Sequence, residues 1–143
     1  MPKVHATTPV MPHMVVSNAK KAIEFYQEAF GAKELFRADA EDGKRLMHAA
    51  IELNGGGIVM LNDDFPEFGS GAKSTPEALK GTPVTIHLEQ QRAKDVDVLF
   101  LRATKAGAKT IMKPDDMFWG DRYAVVEDPF GHRWSIAAPT DAK

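Results

Sequence analysis

The sequence has no cysteine, which excludes disulfides, thiolate metal sites and thiol nucleophiles. It has no surplus of either charge: 18 Lys and Arg stand against 20 Asp and Glu, for a net charge of −2. Bulk positive charge therefore cannot carry it to nucleic acid, and a strongly cationic cargo finds little attraction. No apolar run approaches the ~20 residues of a membrane span, and the first residues lack the charged-then-apolar layout of a signal peptide. There is no G-x-G-x-x-G after a strand, no G-x-x-x-x-G-K-[ST] and no G-x-S-x-G, so phosphate-cradling loops and a serine-hydrolase elbow are unsupported. What is present is the mix of an ordinary soluble domain, 43% apolar and 27% charged over 143 residues. That length suffices for a real core without staples. A single domain over 1–143, cytoplasmic, with neither nucleic acid nor membrane as partner, is the expectation.

Residues 10–17 read as a strand, with Pro12 near its start because proline cannot donate to a ladder. Asn18 is a helix N-cap, and Ala22, Ile23, Tyr26, Ala29 and Phe30 form one apolar helical stripe that Gly31 closes. Strands are expected over 33–38, 45–53 and 57–62, separated by turns at Asp42-Gly43 and Asn54 to Gly57. Pro66, Gly69, Gly71, Pro76, Gly81 and Pro83 then break the pattern. They make 63–83 a long connection, with one helical turn at Pro76 to Leu79.

The order then repeats. A strand over 84–88 precedes a helix from about Asp95, with Val96, Leu99, Phe100 and Ala103 on one face and Gly107 at its end. Strands over 109–112, 121–127 and 133–138 follow, the last two joined by Asp128-Pro129-Phe130-Gly131. Phe30-Gly31-Ala32-Lys33 is echoed by Ala106-Gly107-Ala108-Lys109, a self-similarity that indicates a duplicated unit. The chain therefore divides into a βαβββ module over 10–62, the connection, and a second βαβββ module over 84–138. A cleft lined from both halves is where a small molecule would bind.

Three stretches carry a family resemblance: Ala22-Ile23-Glu24-Phe25-Tyr26 with Ala29-Phe30-Gly31-Ala32, Asp95-Val96-Asp97 through Ala106-Gly107-Ala108, and Trp119 to Tyr123 followed by Asp128-Pro129-Phe130-Gly131-His132 and Trp134. With these the chain resembles the vicinal oxygen chelate superfamily of glyoxalases, bleomycin-resistance proteins and dioxygenases, most closely its PhnB-like branch. The resemblance implies an α+β fold in which two βαβββ modules form a curved mixed sheet around a cleft. It also implies a homodimer and, in enzymatic members, a divalent metal held from the first and last strand of each module. At those four places this chain offers Met11, Met60, Thr85 and Ser135, none a good ligand for a hard or borderline cation.

His13 lies two residues beyond Met11 and His87 two beyond Thr85. Period-two alternation therefore turns both toward the cleft, with Met14, Val16, Ile86 and Leu88 toward the helices. Two imidazoles at matching places can contact a ligand, act as acid and base, or hold a metal in a shifted site; packing and internal hydrogen bonding is the structural alternative. Asn62 and Glu89 have the matching parity. Trp119, beside Phe118, offers an aromatic wall and Arg122 an anion contact. The structural alternative is an Asp121–Arg122 ion pair with Trp119 in the core. His48 reads as an interior group, His132 and Arg133 as solvated turn residues, Asp63-Asp64 and Asp115-Asp116 as solvated acids in loops, and His5 carries no signal. The several methionines suit an adaptable pocket.

The expected ligand contacts are accordingly His13, Met60, His87, Trp119, Arg122 and Ser135, and the expected function is small-molecule binding without a metal or other cofactor. The alternative is a lyase, isomerase or dioxygenase-type enzyme using His13 and His87, with or without a divalent metal.

Overall fold

The computed structural model describes residues 9–141, so His5 lies outside the described residues. The elements run β1 (His13–Val16), α1 (Ala19–Phe30), β2 (Lys33–Asp39), β3 (Leu46–Leu53), β4 (Gly57–Asp63), α2 (Pro76–Leu79), β5 (Thr85–Glu89), α3 (Ala93–Ala106), β6 (Lys109–Asp116), β7 (Asp121–Glu127) and β8 (Arg133–Pro139), with one 3₁₀ turn at Pro66–Phe68. Hydrogen bonding makes two four-stranded sheets of identical layout, β1-β4-β3-β2 and β5-β8-β7-β6. In each the first strand pairs parallel to the fourth and the other pairs are antiparallel. The α+β architecture expected from the sequence is thus present, and no barrel closes. No helix among the described residues is long and apolar enough to cross a membrane.

Local chemistry explains the elements. The Asn18 side chain accepts from Lys21 N–H, and Gly31, at φ +69°, ends α1 in the left-handed region where a Cβ is disfavoured. Asp63 does not behave as a solvated loop acid. It is buried, and its two carboxylate oxygens take Ala19 N–H at 2.8 Å and Leu46 N–H at 2.7 Å. It satisfies one of the orphan donors of α1 while fixing the start of β3. Helix α3 begins two residues before Asp95, at Ala93, and β1 is confined to four residues of the expected strand. Strand β6 runs on to Asp116, so Asp115 and Asp116 are strand rather than loop residues.

A single core joins the halves. Ile23, Tyr26 and Phe30 from α1 and Val96 and Ala103 from α3 pack with Trp134 and Ile136 of β8 and with Ile51 and Leu61 of the first sheet. Polar ties add to it. Arg102 on α3 donates to the Glu28 carbonyl at 2.7 Å, beyond the end of which Gly31 turns the chain, and Asn54 on the β3–β4 turn donates to the Glu89 carbonyl at 3.0 Å. The connection is fastened at Gly131, where an added Cβ would stand 2.7 Å from Pro76 Cβ.

Candidate functional site

Alternation along β1 buries Met14 and Val16 against the helices and turns His13 to the opposite face; β5 does the same with Leu88 and His87. His13 pairs with Met60 on β4, and His87 pairs with Ser135 on β8. Because the sheets share one layout, these are equivalent positions in the two halves. The matched placement of His13 and His87 is a consequence of the repeat.

Their surroundings differ. His13 Nε2 is hydrogen-bonded to Asn62 Oδ1. The Asn62 Nδ2 group is spent on the Asp63 carbonyl, so its oxygen is the atom facing the ring and His13 is the donor. The His48 ring lies 5.7 Å from that of His13 and packs edge-on to Phe36, half-buried on the sheet rather than deep in the interior. His87 is held at both ends, Nε2 at 2.8 Å from Glu89 Oε1 and Nδ1 at 2.7 Å from Ser135 Oγ. An ionised carboxylate only accepts, so Nε2 carries the hydrogen, Nδ1 is the acceptor, and the buried Ser135 hydroxyl donates to it.

A divalent metal needs three or four good donors in one place. Opposite the two histidines stand a thioether and a neutral hydroxyl. Among the described residues no three His, Asp or Glu side chains come together as a cation-sized group. The Met60 thioether and the neutral Ser135 hydroxyl are weak donors for a hard or borderline cation.

The aromatic and basic candidates stand elsewhere. Arg122 points to the helix side of β7 and grips Asp97 on α3 with Nε and Nη2, and Asp116 with Nη1 at 3.0 Å. Those two acids hold it charged and raise its pKa above the ordinary arginine value. The ion pair is real, but its acids are Asp97 and Asp116; Asp121 instead accepts from Trp119 Nε1 at 3.0 Å. Trp119 does not fill the core: it is 53% exposed, beside Phe118 at 98%.

The two sheets present β1 and β5 to each other as edge strands, and no ladder joins them. Between these edges, under the connection, lies a cavity of about 430 Å³. Pro12, His13, Met14 and Val15 form one side, Val84 and Ile86 the other, and Ser74 to Pro83 the roof. Of the residues expected to touch a ligand, it contains His13; Met60, His87, Trp119, Arg122 and Ser135 are not in its wall. It contains instead His132, whose place just past a turn predicts a solvated side chain. His132 Nε2 donates to the Val15 carbonyl of the edge strand at 2.8 Å, and its backbone N–H donates to Asp128 at 3.0 Å. The available signal was the position of His132 between a turn and a strand of a duplicated unit, which brings it beside the other module's first strand.

The family model described as Glyoxalase/Bleomycin resistance protein/Dioxygenase superfamily matches residues 4–136. An uncharacterised protein of Mycobacterium bovis, Mb0911c, is 53% identical over 128 residues, covering 90% of this chain and 81% of its own. Its counterpart Rv0887c of Mycobacterium tuberculosis is equally identical over 72% of its length. Among solved structures, TioX from Micromonospora is 26% identical with a TM-score of 0.66, over 93% of this chain and 97% of its own. FosX of Listeria monocytogenes, a fosfomycin resistance protein solved with Mn(II), shares the fold at 16% identity and a TM-score of 0.68, over 95% and 93% of the two chains.

Proposed function

We propose that this chain, which belongs to the glyoxalase/bleomycin resistance protein/dioxygenase superfamily, is a small-molecule-binding protein that holds its ligand without a metal in the cavity between β1 and β5. The observation that carries the reading is the cavity itself. It is contributed by both halves and the connection, of a size to enclose a compact organic molecule, mostly apolar, with His13 and His132 as its ionisable groups among the described residues. The donor chemistry at the His13 and His87 registers supports the metal-free part, since Met60 and Ser135 stand where the family resemblance implies metal ligands.

The test is a fluorescence titration with the neutral dye N-phenyl-1-naphthylamine, with Ile86→Trp as a cavity-filling variant and elemental analysis of the natively purified protein. Saturable binding of one dye, lost in Ile86→Trp, is expected. Dye binding that ignores Ile86→Trp overturns the location. A stoichiometric divalent ion that disappears in His13→Gln or His87→Gln overturns the metal-free reading.

One observation favours a second reading, an acid–base enzyme. His87 has the arrangement of an oriented general base, its Nε2–H fixed by Glu89 and its Nδ1 accepting a hydrogen bond from the Ser135 hydroxyl. Its side chain is 44% exposed and therefore reachable. Turnover abolished by His87→Ala but kept in Ile86→Trp would favour this reading over the first.

A further inference from the structure

We infer that the ligand of this cavity is a weak organic acid, an apolar body carrying one carboxyl or similarly acidic hydroxyl, recognised by His13 and His132; the inference rests on the binding reading above. The wall supplies Pro12, Met14, Val15, Val84 and Ile86 for an apolar body. Among the described residues it holds no Asp, Glu, Lys or Arg, so nothing repels an anion and nothing satisfies a permanently charged cation.

The two imidazoles are fixed in the same sense. Each spends Nε2 as a donor, His13 on Asn62 Oδ1 and His132 on the Val15 carbonyl. A carbonyl can only accept, so in the neutral His132 ring the hydrogen sits on Nε2 and Nδ1 is a bare lone pair. His13 follows the same logic, because Asn62 turns its oxygen to the ring. No described residue is hydrogen-bonded to either Nδ1. Two imidazole lone pairs left without a donor are matched by a ligand that brings a proton. The acid's hydrogen moves to Nδ1, and the resulting imidazolium and carboxylate form a charge-assisted hydrogen bond. When the ligand arrives already ionised, the same state is reached by taking one proton from solvent. The Thr82 hydroxyl, which accepts the Val84 N–H and keeps its own hydrogen, lies in the roof as a further donor to a carboxylate. The ionisable groups next to these rings are His48, 5.7 Å from His13, and Asp128, which accepts the His132 backbone N–H. Neither acid–base neighbour fills the cavity side.

A matched pair of probes tests this: 1-naphthoate and 1-naphthamide share shape and differ in acidity. In displacement of N-phenyl-1-naphthylamine from the whole chain at pH 6.5, naphthoate is expected to bind about tenfold or more tightly than the amide, the ratio one charge-assisted hydrogen bond supplies. Calorimetry in buffers of different ionisation heat should show proton uptake with naphthoate and none with the amide. His13→Gln and His132→Gln keep a donor where Nε2 was and delete Nδ1; together they should bring the ratio to about one while the dye and the amide still bind. Equal affinity of the two probes in the unaltered protein, absence of proton uptake, or a ratio that survives both substitutions overturns the inference even though the dye binds. Failure of the dye itself to bind overturns the cavity reading, and this inference with it.

Discussion

The Tyr26 hydroxyl donates to Asp128 Oδ2 at 2.6 Å, linking helix α1 of the first module to the β7–β8 turn of the second, 102 residues away. The same carboxylate oxygen accepts Trp134 Nε1 at 2.9 Å, while its other oxygen takes Phe130 and His132 N–H. One buried acid thereby joins both modules, closes the turn and sets the backbone of a cavity residue. Tyr26→Phe removes one of its donors without changing the packing shape. The expected loss is about 1–3 kcal/mol of unfolding free energy, the range for a buried charged acceptor losing a partner. Denaturant unfolding should show an earlier midpoint at unchanged slope; an unaltered midpoint would remove Asp128 from the forces joining the modules.

Two sets of carboxylates predict pH effects of opposite sign. Burial pushes the Asp128 carboxyl above the usual range, against its hydrogen bonds, which pull it down. A group whose folded pKa is raised favours folding below the ordinary aspartate range and loses that contribution as pH rises through the folded value. Glu34, lowered chiefly by its hydrogen bonds from Arg37, works in reverse: its contribution is present above the ordinary glutamate range and fades as pH falls through the lowered value. Unfolding measured between pH 3 and 7 in parallel with Asp128→Asn isolates the first effect. The native protein should lose stability relative to that variant as pH rises. A flat or rising difference would contradict the assigned direction.

Much of the fold was legible because it rests on short-range signals. The apolar stripe of α1, the caps at Asn18 and Gly31 and the echo of Gly31 in Gly107 are local, and they fixed the repeat. The repeat in turn put His13 and His87 at equivalent places. What was not legible depends on contacts between elements far apart in the sequence. Asp63 looks like a loop acid until β4 is seen to end beneath the starts of α1 and β3. Arg122 suggests an anion site until Asp97 on α3 is brought to it from 25 residues away. His132 reads as a surface turn residue because nothing local reveals that the first edge strand offers it the Val15 carbonyl. The roles of these polar side chains are set by which distant elements meet, and that is written in no window of the sequence.

Gly131 should tolerate no side chain. At φ +92° an L residue is already disfavoured, and an added Cβ would collide with Pro76 Cβ at 2.7 Å. Gly131→Ala is therefore expected to destabilise by about 1–3 kcal/mol through local strain, and to push α2 off the turn. Limited proteolysis should then cut within 77–84, the roof of the cavity. Cleavage no faster than in the unaltered protein would mean that the connection is held chiefly elsewhere.

The other fastening is Arg45, and its geometry sets the last expectation. Its guanidinium lies 4.2 Å over the Phe65 ring and donates to Asp42 at 2.7 Å, to Glu67 at 2.6 Å and to the Asp64 carbonyl at 3.0 Å. Asp64 in turn receives the backbone N–H and hydroxyl of Ser74, the first residue of the cavity roof. A planar fork with its face on a ring is what this site uses, and a lysine supplies only a point charge. Arg45→Lys should therefore behave almost as poorly as Arg45→Gln. In both, amides of 64–74 should exchange with solvent faster while those of α1 and α3 keep their protection, because surface ion pairs contribute little to global stability. Dye dissociation from the cavity should quicken in step with that exchange, since the roof hangs from the same segment. If Arg45→Lys restored full protection, charge alone would be holding the connection, and the stacked geometry would be incidental.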